Sequence, residues 1–401
     1  RKFYIKSIEI IERMRRDIKV EDFKRDFMKD KIDTYERLID LLIRMKREEE
    51  AFEYNEKARS RAFLDILASE KVKFHQGIRP DLADKEKDLL AKIQSLSGDI
   101  SKERTSPTRR TAFIDEQNMK LNKLKKEYEE LLGEMKLQNP EYADLISVNP
   151  FSLKEINMFL PDDTLLVEYF LGKERSYIWI AGKNTFKTVT INRNKDEIEK
   201  LVRELRSYIC DNMTGEKLKS YKWIEPSKEL YTLIFSDAEK YIHGNKLVIS
   251  PHRSLHYIPF QVLTDREGKV LLEKYDISYI PSASVLKYCE DKNTEKKNSL
   301  LAFSSGNAGF EGFPPIPGTE KEVKAIEQFF TSKEIYSGKD MKTDILYRKG
   351  SSFDIIHIAT HGVLDSSNPL FSCLIFSDRR LNVYDIFNLE LRSSLVCLSA
   401  C

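Results

Sequence analysis

Two side chains near the end of the chain could do chemistry together: His361 and Cys401. An imidazole exchanges its proton near neutral pH, and a thiol becomes a strong nucleophile once deprotonated. Each closes a short apolar, β-branched run. Phe353-Asp354-Ile355-Ile356-His357-Ile358-Ala359-Thr360 leads to His361, and Ser394-Leu395-Val396-Cys397-Leu398-Ser399-Ala400 leads to Cys401. Runs of this kind read as fully buried parallel strands. Open α/β sheets keep their chemistry beyond the carboxyl ends of the strands. Neighbouring strands ending in His and Cys would therefore set a base beside a nucleophile, as a cysteine protease needs. Gly362 follows the histidine, and without a Cβ its N–H can approach a developing oxyanion, where one donor removes a few kcal/mol of barrier. Ser399 and Ala400 leave room for a carbonyl beside Cys401, whereas Cys397, within the run, reads as an inert core thiol. Asp365 and Asn368 could shape the loop after His361, but neither reads as a third catalytic member. A thiol ionises far more readily than a serine hydroxyl, so a dyad suffices.

Other chemistries fit less well. His357 and His361 are four apart, but on a strand that is about 13 Å, too far for one zinc. His252 and His256 straddle a turn after Ser250-Pro251, and neither pair has a C-x-x-C or a third ligand beside it. No phosphate-cradling glycine loop follows a strand. No metal and no cofactor are expected.

The elements that must position the pair come earlier in the chain. The 401 residues allow two or three domains. Residues 1–70 read as helices, with Asp33 to Leu42 and Glu48 to Ala68 amphipathic. Tyr35, Leu38, Leu42, Ala51, Tyr54 and Ala58 fit either a tetratricopeptide-like unit or an ordinary helical hairpin. Residues 71–150 form a second region. Leu82, Leu89, Ile93, Leu96 and Ile100, then Leu121, Leu124, Tyr128, Leu131 and Met135, make two seams at coiled-coil spacing around a polar break at 105–108. This predicts an antiparallel helical hairpin with arms of about 30 Å, a spacer or a platform for a partner. Asn139-Pro140 and Asn149-Pro150 punctuate the chain before strands begin. Strands at 164–170, 176–180, 188–192, 247–250, 277–280, 300–303, 355–360 and 395–399 have helical stretches among them, which predicts a mainly parallel sheet with helices on both faces over 151–401.

Composition excludes several classes. Net charge is +2, which argues against a nucleic-acid groove as the main feature. No run of 18 apolar residues would span a membrane. Five cysteines, Cys210, Cys289, Cys373, Cys397 and Cys401, form no paired framework and suit a reducing, cytoplasmic setting. A chain that begins at Arg1 reads as a piece of something longer.

Several stretches together resemble a known family. Leu160-Pro161-Asp162-Asp163-Thr164, Leu247-Val248-Ile249-Ser250-Pro251, Leu255-His256-Tyr257-Ile258-Pro259-Phe260 and Tyr279-Ile280-Pro281-Ser282-Ala283-Ser284 come in order. Pro314-Pro315-Ile316-Pro317-Gly318-Thr319-Glu320, Ala359-Thr360-His361-Gly362, Asn368-Pro369-Leu370 and Leu398-Ser399-Ala400-Cys401 follow. From about Leu160 the chain resembles the CHAT domain, a caspase-like peptidase module commonly found behind tetratricopeptide repeats. The resemblance implies a caspase-like αβα sandwich with His361 as general base, Cys401 as nucleophile and the Gly362 N–H as oxyanion donor. It also implies a specific protein substrate; because a free protease must be restrained, a regulatory protein or ribonucleoprotein is expected on the helical region. In the family the chain runs on past the nucleophile through a helix and further strands. Here it stops at Cys401, so truncation is expected. The alternative is a scaffold that keeps the fold and binds a partner without chemistry.

Overall fold

Side chains alternate along a strand, so a strand apolar on both faces needs cover on both. The computed structural model supplies that cover in two separate places. It describes residues 1–17, 21–71, 80–105, 110–137, 152–209, 221–286, 298–310, 312–365, 369–386 and 388–400. Cys401, Asn368, Cys210, Cys289, the break at 106–108 and the Asn139-Pro140 and Asn149-Pro150 steps lie outside them. The chain forms two compact units, one of residues 1–18, 23–67 and 146–291, the other of residues 19–22, 68–145 and 292–401. Helices are accompanied by sheets, one of them wholly parallel.

The first unit holds helices α1 (Lys2–Asp17), α2 (Glu21–Arg44), α3 (Glu48–Lys71) and α6 (Leu153–Phe159). It also holds strands β1 (Thr164–Leu171), β2 (Ser176–Gly182), β3 (Thr185–Ile191), β4 (Lys246–Ser250) and β5 (Asp276–Tyr279). Between β3 and β4 come α7 (Lys195–Ile209), α8 (Ile224–Ile234) and the short α9 (Ser236–Glu239). The helical stretch here is interrupted at Phe235, which caps both α8 and α9. The sheet order is β3-β2-β1-β4-β5, with β1 antiparallel to β2 and parallel to β4. Gly172 makes the β1–β2 turn possible: a Cβ there would meet the Arg175 carbonyl oxygen at 2.4 Å. Alternation then divides the core. Leu165, Val167, Tyr169 and Leu171 pack with Ile198, Val202, Leu205 and Leu230 of α7 and α8. Leu166, Phe170, Tyr177 and Trp179 pack with Ile8, Tyr35, Leu38, Leu42, Ala51 and Phe52 of α1 to α3. Glu168 faces the same way as Leu166 and is wholly buried, with Asn55 Nδ2 2.5 Å from its Oε1 and Arg59 3.9 Å away.

In the second unit, α4 (Pro80–Thr105) and α5 (Thr111–Leu137) pack along the expected seam: Leu82, Leu89, Ile93, Ile100, Ile114, Leu121, Tyr128 and Leu131 are buried together. Strands β6 (Ser299–Ser304), β7 (Ser332–Ser337), β8 (Ile355–Ala359) and β12 (Leu395–Ser399) form a sheet of order β12-β8-β6-β7, every pair parallel. Helix α10 (Gly318–Glu327) covers the face of Leu300, Ala302 and Ile355. Helix α11 (Thr343–Lys349) covers the opposite face, with Leu301, Phe303, Ile356 and Ile358. Beside them lies a small antiparallel sheet, order β11-β10-β9, of β9 (Gly362–Val363), β10 (Cys373–Ile375) and β11 (Arg380–Asn382), the last running into α12 (Val383–Ile386).

Two expectations need correction. The strands do not make one sheet over 151–401. Strand–helix alternation dictates parallel neighbours, but not how many sheets the neighbours belong to. The last run is not buried either. Among the described residues β12 is the last strand in its sheet order, with Leu395, Val396 and Leu398 at 54%, 41% and 55% exposure. Its composition matches that of a central strand, and only its position in the order differs. For the same reason Cys397 is exposed rather than a core thiol.

Candidate active site

The two strands that carry His361 and Cys401 start from one anchor. Asp354 accepts from the Ser299 N–H through Oδ2 at 3.2 Å, and its carbonyl accepts from the Ser394 N–H at 2.8 Å. Its own N–H donates to Ser299 Oγ at 3.0 Å. The beginnings of β6, β8 and β12 are thereby pinned together, which fixes the register Leu395 opposite Ile355 and Ser399 opposite Ala359. Both strands therefore end at the same level. Thr360 N–H continues the ladder to the Ser399 carbonyl at 3.1 Å, and Ser305 N–H reaches the Ala359 carbonyl at 3.0 Å from the other side. Cys401 is two residues past Ser399, beyond the described residues.

His361 sits just past the end of β8, half-buried. Its Nε2 lies 2.7 Å from the Pro314 carbonyl oxygen, and its ring packs at 5.1 Å on Phe313. A carbonyl can only accept, so the proton of the neutral imidazole is on Nε2 and Nδ1 is left bare. The group that orients the imidazole is thus a backbone carbonyl. Asp365 instead has its N–H on Ser372 Oγ at 3.0 Å. Sequence reasoning missed Pro314 because a carbonyl has no residue type. The Pro314-Pro315 step that presents it stands in the sequence between β6 and α10.

Gly362 opens β9. Ile375 N–H donates to the His361 carbonyl at 3.0 Å, so His361 and Ile375 form a hydrogen-bonded pair. Pairs alternate in an antiparallel ladder, so the next pair, Gly362 with Leu374, is non-bonded and the Gly362 N–H points away from β10. β9 is the edge of that sheet, and among the described residues no ladder partner lies on that side. A Cβ at Gly362 would stand 3.5 Å from Ala400 Cβ, so the donor lies next to the residue that precedes Cys401. Below the pair, Glu322 of α10 accepts from Ser399 Oγ at 3.0 Å. Its other oxygen is 3.1 Å from His357 Nε2, off the line of a hydrogen bond. One carboxylate thus touches both strands.

With this geometry in hand, comparison with known proteins is informative. Residues 225–401 match the family model described as the CHAT domain, which supports that family, related to caspase-like cysteine peptidases, for this stretch. No curated protein matches the chain. Among the described residues no helix is long and apolar enough to cross a membrane.

Proposed function

We propose that the chain is a cysteine endopeptidase that cleaves a specific protein target through His361 and Cys401. Residues 151–401 are its peptidase domain, 1–70 a tetratricopeptide-like helical region, and 71–150 a helical pair and linker. The observation that carries this reading is the imidazole: it follows the strand paired with β12, with Nε2 occupied by a carbonyl and Nδ1 bare. Nδ1 takes the Cys401 proton, and the thiolate attacks the scissile carbonyl carbon. The Gly362 N–H receives the oxyanion. The imidazolium, stabilised by the Pro314 carbonyl, gives its proton to the departing amine as the C–N bond breaks. Water, deprotonated by the same nitrogen, then hydrolyses the thioester and restores the thiol. A regulatory protein or ribonucleoprotein engages the helical region and controls the site.

The test is alkylation of the full-length protein at neutral pH, with sites located by mass spectrometry. Cys401 should react at least about tenfold faster than exposed Cys397, and His361→Ala should abolish the difference. Equal labelling of the two thiols, unchanged by His361→Ala, would point to a scaffold without the chemistry. In cells, Cys401→Ala should stop cleavage of the target and leave partner binding intact.

A further inference from the structure

We propose that Tyr128, on the long helical pair, positions His361 and Gly362 through an aromatic contact, so that α4 and α5 control the assembly of the site. The inference rests on the peptidase reading and assigns its regulation to a named contact. Tyr128 is 2% exposed. Its ring meets Phe371 edge-on at 5.9 Å and 65°, and Tyr384 at 5.2 Å; Phe371 and Tyr384 meet each other at 5.3 Å and 68°. Three rings in mutual contact prefer defined edge and tilt geometries, so the cluster resists sliding. Leu370, partly buried, completes the patch that the helical pair covers.

These two ring partners of Tyr128 flank the strands of the small sheet that follows His361. Phe371 closes the turn Pro369–Phe371, two residues before β10 begins. Tyr384 is in α12, immediately after β11, and its hydroxyl accepts from Asn382 Nδ2 at 2.9 Å. Burial pushes the Tyr384 hydroxyl well above its ordinary pKa, so it stays a neutral member of the cluster. The Ser372 carbonyl takes the Val383 N–H at 2.9 Å, tying the two ring-bearing segments together. From there β10 reaches the site by two contacts: the Ile375 N–H holds the His361 carbonyl, and the Ile375 carbonyl accepts from Thr360 Oγ1 at 2.6 Å. Leu374 stands opposite Gly362. The path from the helical pair to the base and the oxyanion donor is therefore one aromatic cluster and one short ladder. Packed clusters hold discrete arrangements rather than deform smoothly, so a shift of α5 is passed on as a change of register or tilt in β10. The chain connection between α5 and α6, at 138–151, lies outside the described residues, and this route does not use it.

The experiment compares Cys401 alkylation rates as a function of pH in the full-length protein, for wild type, Tyr128→Ala and Tyr128→Phe, with circular dichroism to confirm folding. Tyr128→Ala should slow Cys401 at neutral pH by about tenfold or more and move its pH profile toward that of an unactivated thiol. Cys397 should keep its rate, and Tyr128→Phe, which retains the ring, should match wild type. If Tyr128→Ala unfolds, Tyr128→Leu, which keeps apolar volume without the ring edge, takes its place in the comparison. A Cys401 profile identical to wild type in the folded variant overturns the positioning role. A wild-type Cys401 that is itself unactivated, or indifferent to His361→Ala, overturns instead the peptidase reading beneath it.

Discussion

At the scale of single residues, the site depends on groups that hold other groups. Pro314 fixes the tautomer of His361, and Glu322 joins Ser399 to His357 across two strands. Glu322 is the more easily tested, because its contribution is a side chain. Glu322→Gln keeps an amide oxygen for the Ser399 hydroxyl and should leave Cys401 alkylation near wild type. Glu322→Ala leaves that hydroxyl without its acceptor and frees the end of β12, with an expected loss of about 1 kcal/mol in stability and a slower Cys401. An alanine variant as fast as wild type would show that the Asp354 anchor alone sets the strand ends.

At the scale of elements, apolar spacing read well where the partner is local. The seam of α4 and α5 was legible because both sides of it lie between Pro80 and Leu137, and Leu82, Leu89, Ile93 and Ile100 are buried as their steps require. Ile93→Ala should therefore cost about 2–5 kcal/mol, seen as a lower melting temperature and as weaker hydrogen-exchange protection in both helices. Spacing failed where the answer depends on distant neighbours. β12 has the composition of a core strand, and among the described residues only β8 pairs with it. β9, β10 and β11 are two or three residues long and carry too few side chains to show alternation. Tyr128 read as one seam residue among several, because its partners at 371 and 384 are remote in sequence. His361 was legible because its chemistry is in its type, and the carbonyl beside it was not.

At the scale of the whole molecule, each unit carries its own internal constraint. In the first, burial and then the neighbouring Glu56 charge raise the Glu168 carboxyl well above the carboxylate range. The folded protein keeps that proton, while the unfolded chain releases it near pH 4.3. Stability is therefore fully present below that value and falls as pH rises toward the folded pKa. Glu168→Gln, neutral at every pH, should flatten the decline in urea unfolding measured from pH 5 to pH 8; an unchanged slope would place its origin elsewhere. In the second unit, the helical pair covers Phe371 and Tyr384, so cutting away residues 1–138 would uncover an aromatic patch as well as remove the helices proposed to control the site. Point substitutions separate those two effects, and a truncation does not.

The three-ring contact also sets a timetable for biosynthesis. Helices α4 and α5 can pair within microseconds of leaving the ribosome, since their seam is local. Tyr128 must then wait until residues 371 and 384 have been made, on the order of ten seconds or more at ordinary translation rates. Throughout that interval its ring lacks Phe371 and Tyr384, and the loop bearing His361 has no support from it. Cys401 is made later still. Under the proposed reading, the site is therefore assembled only once Tyr128 has docked and Cys401 has been made.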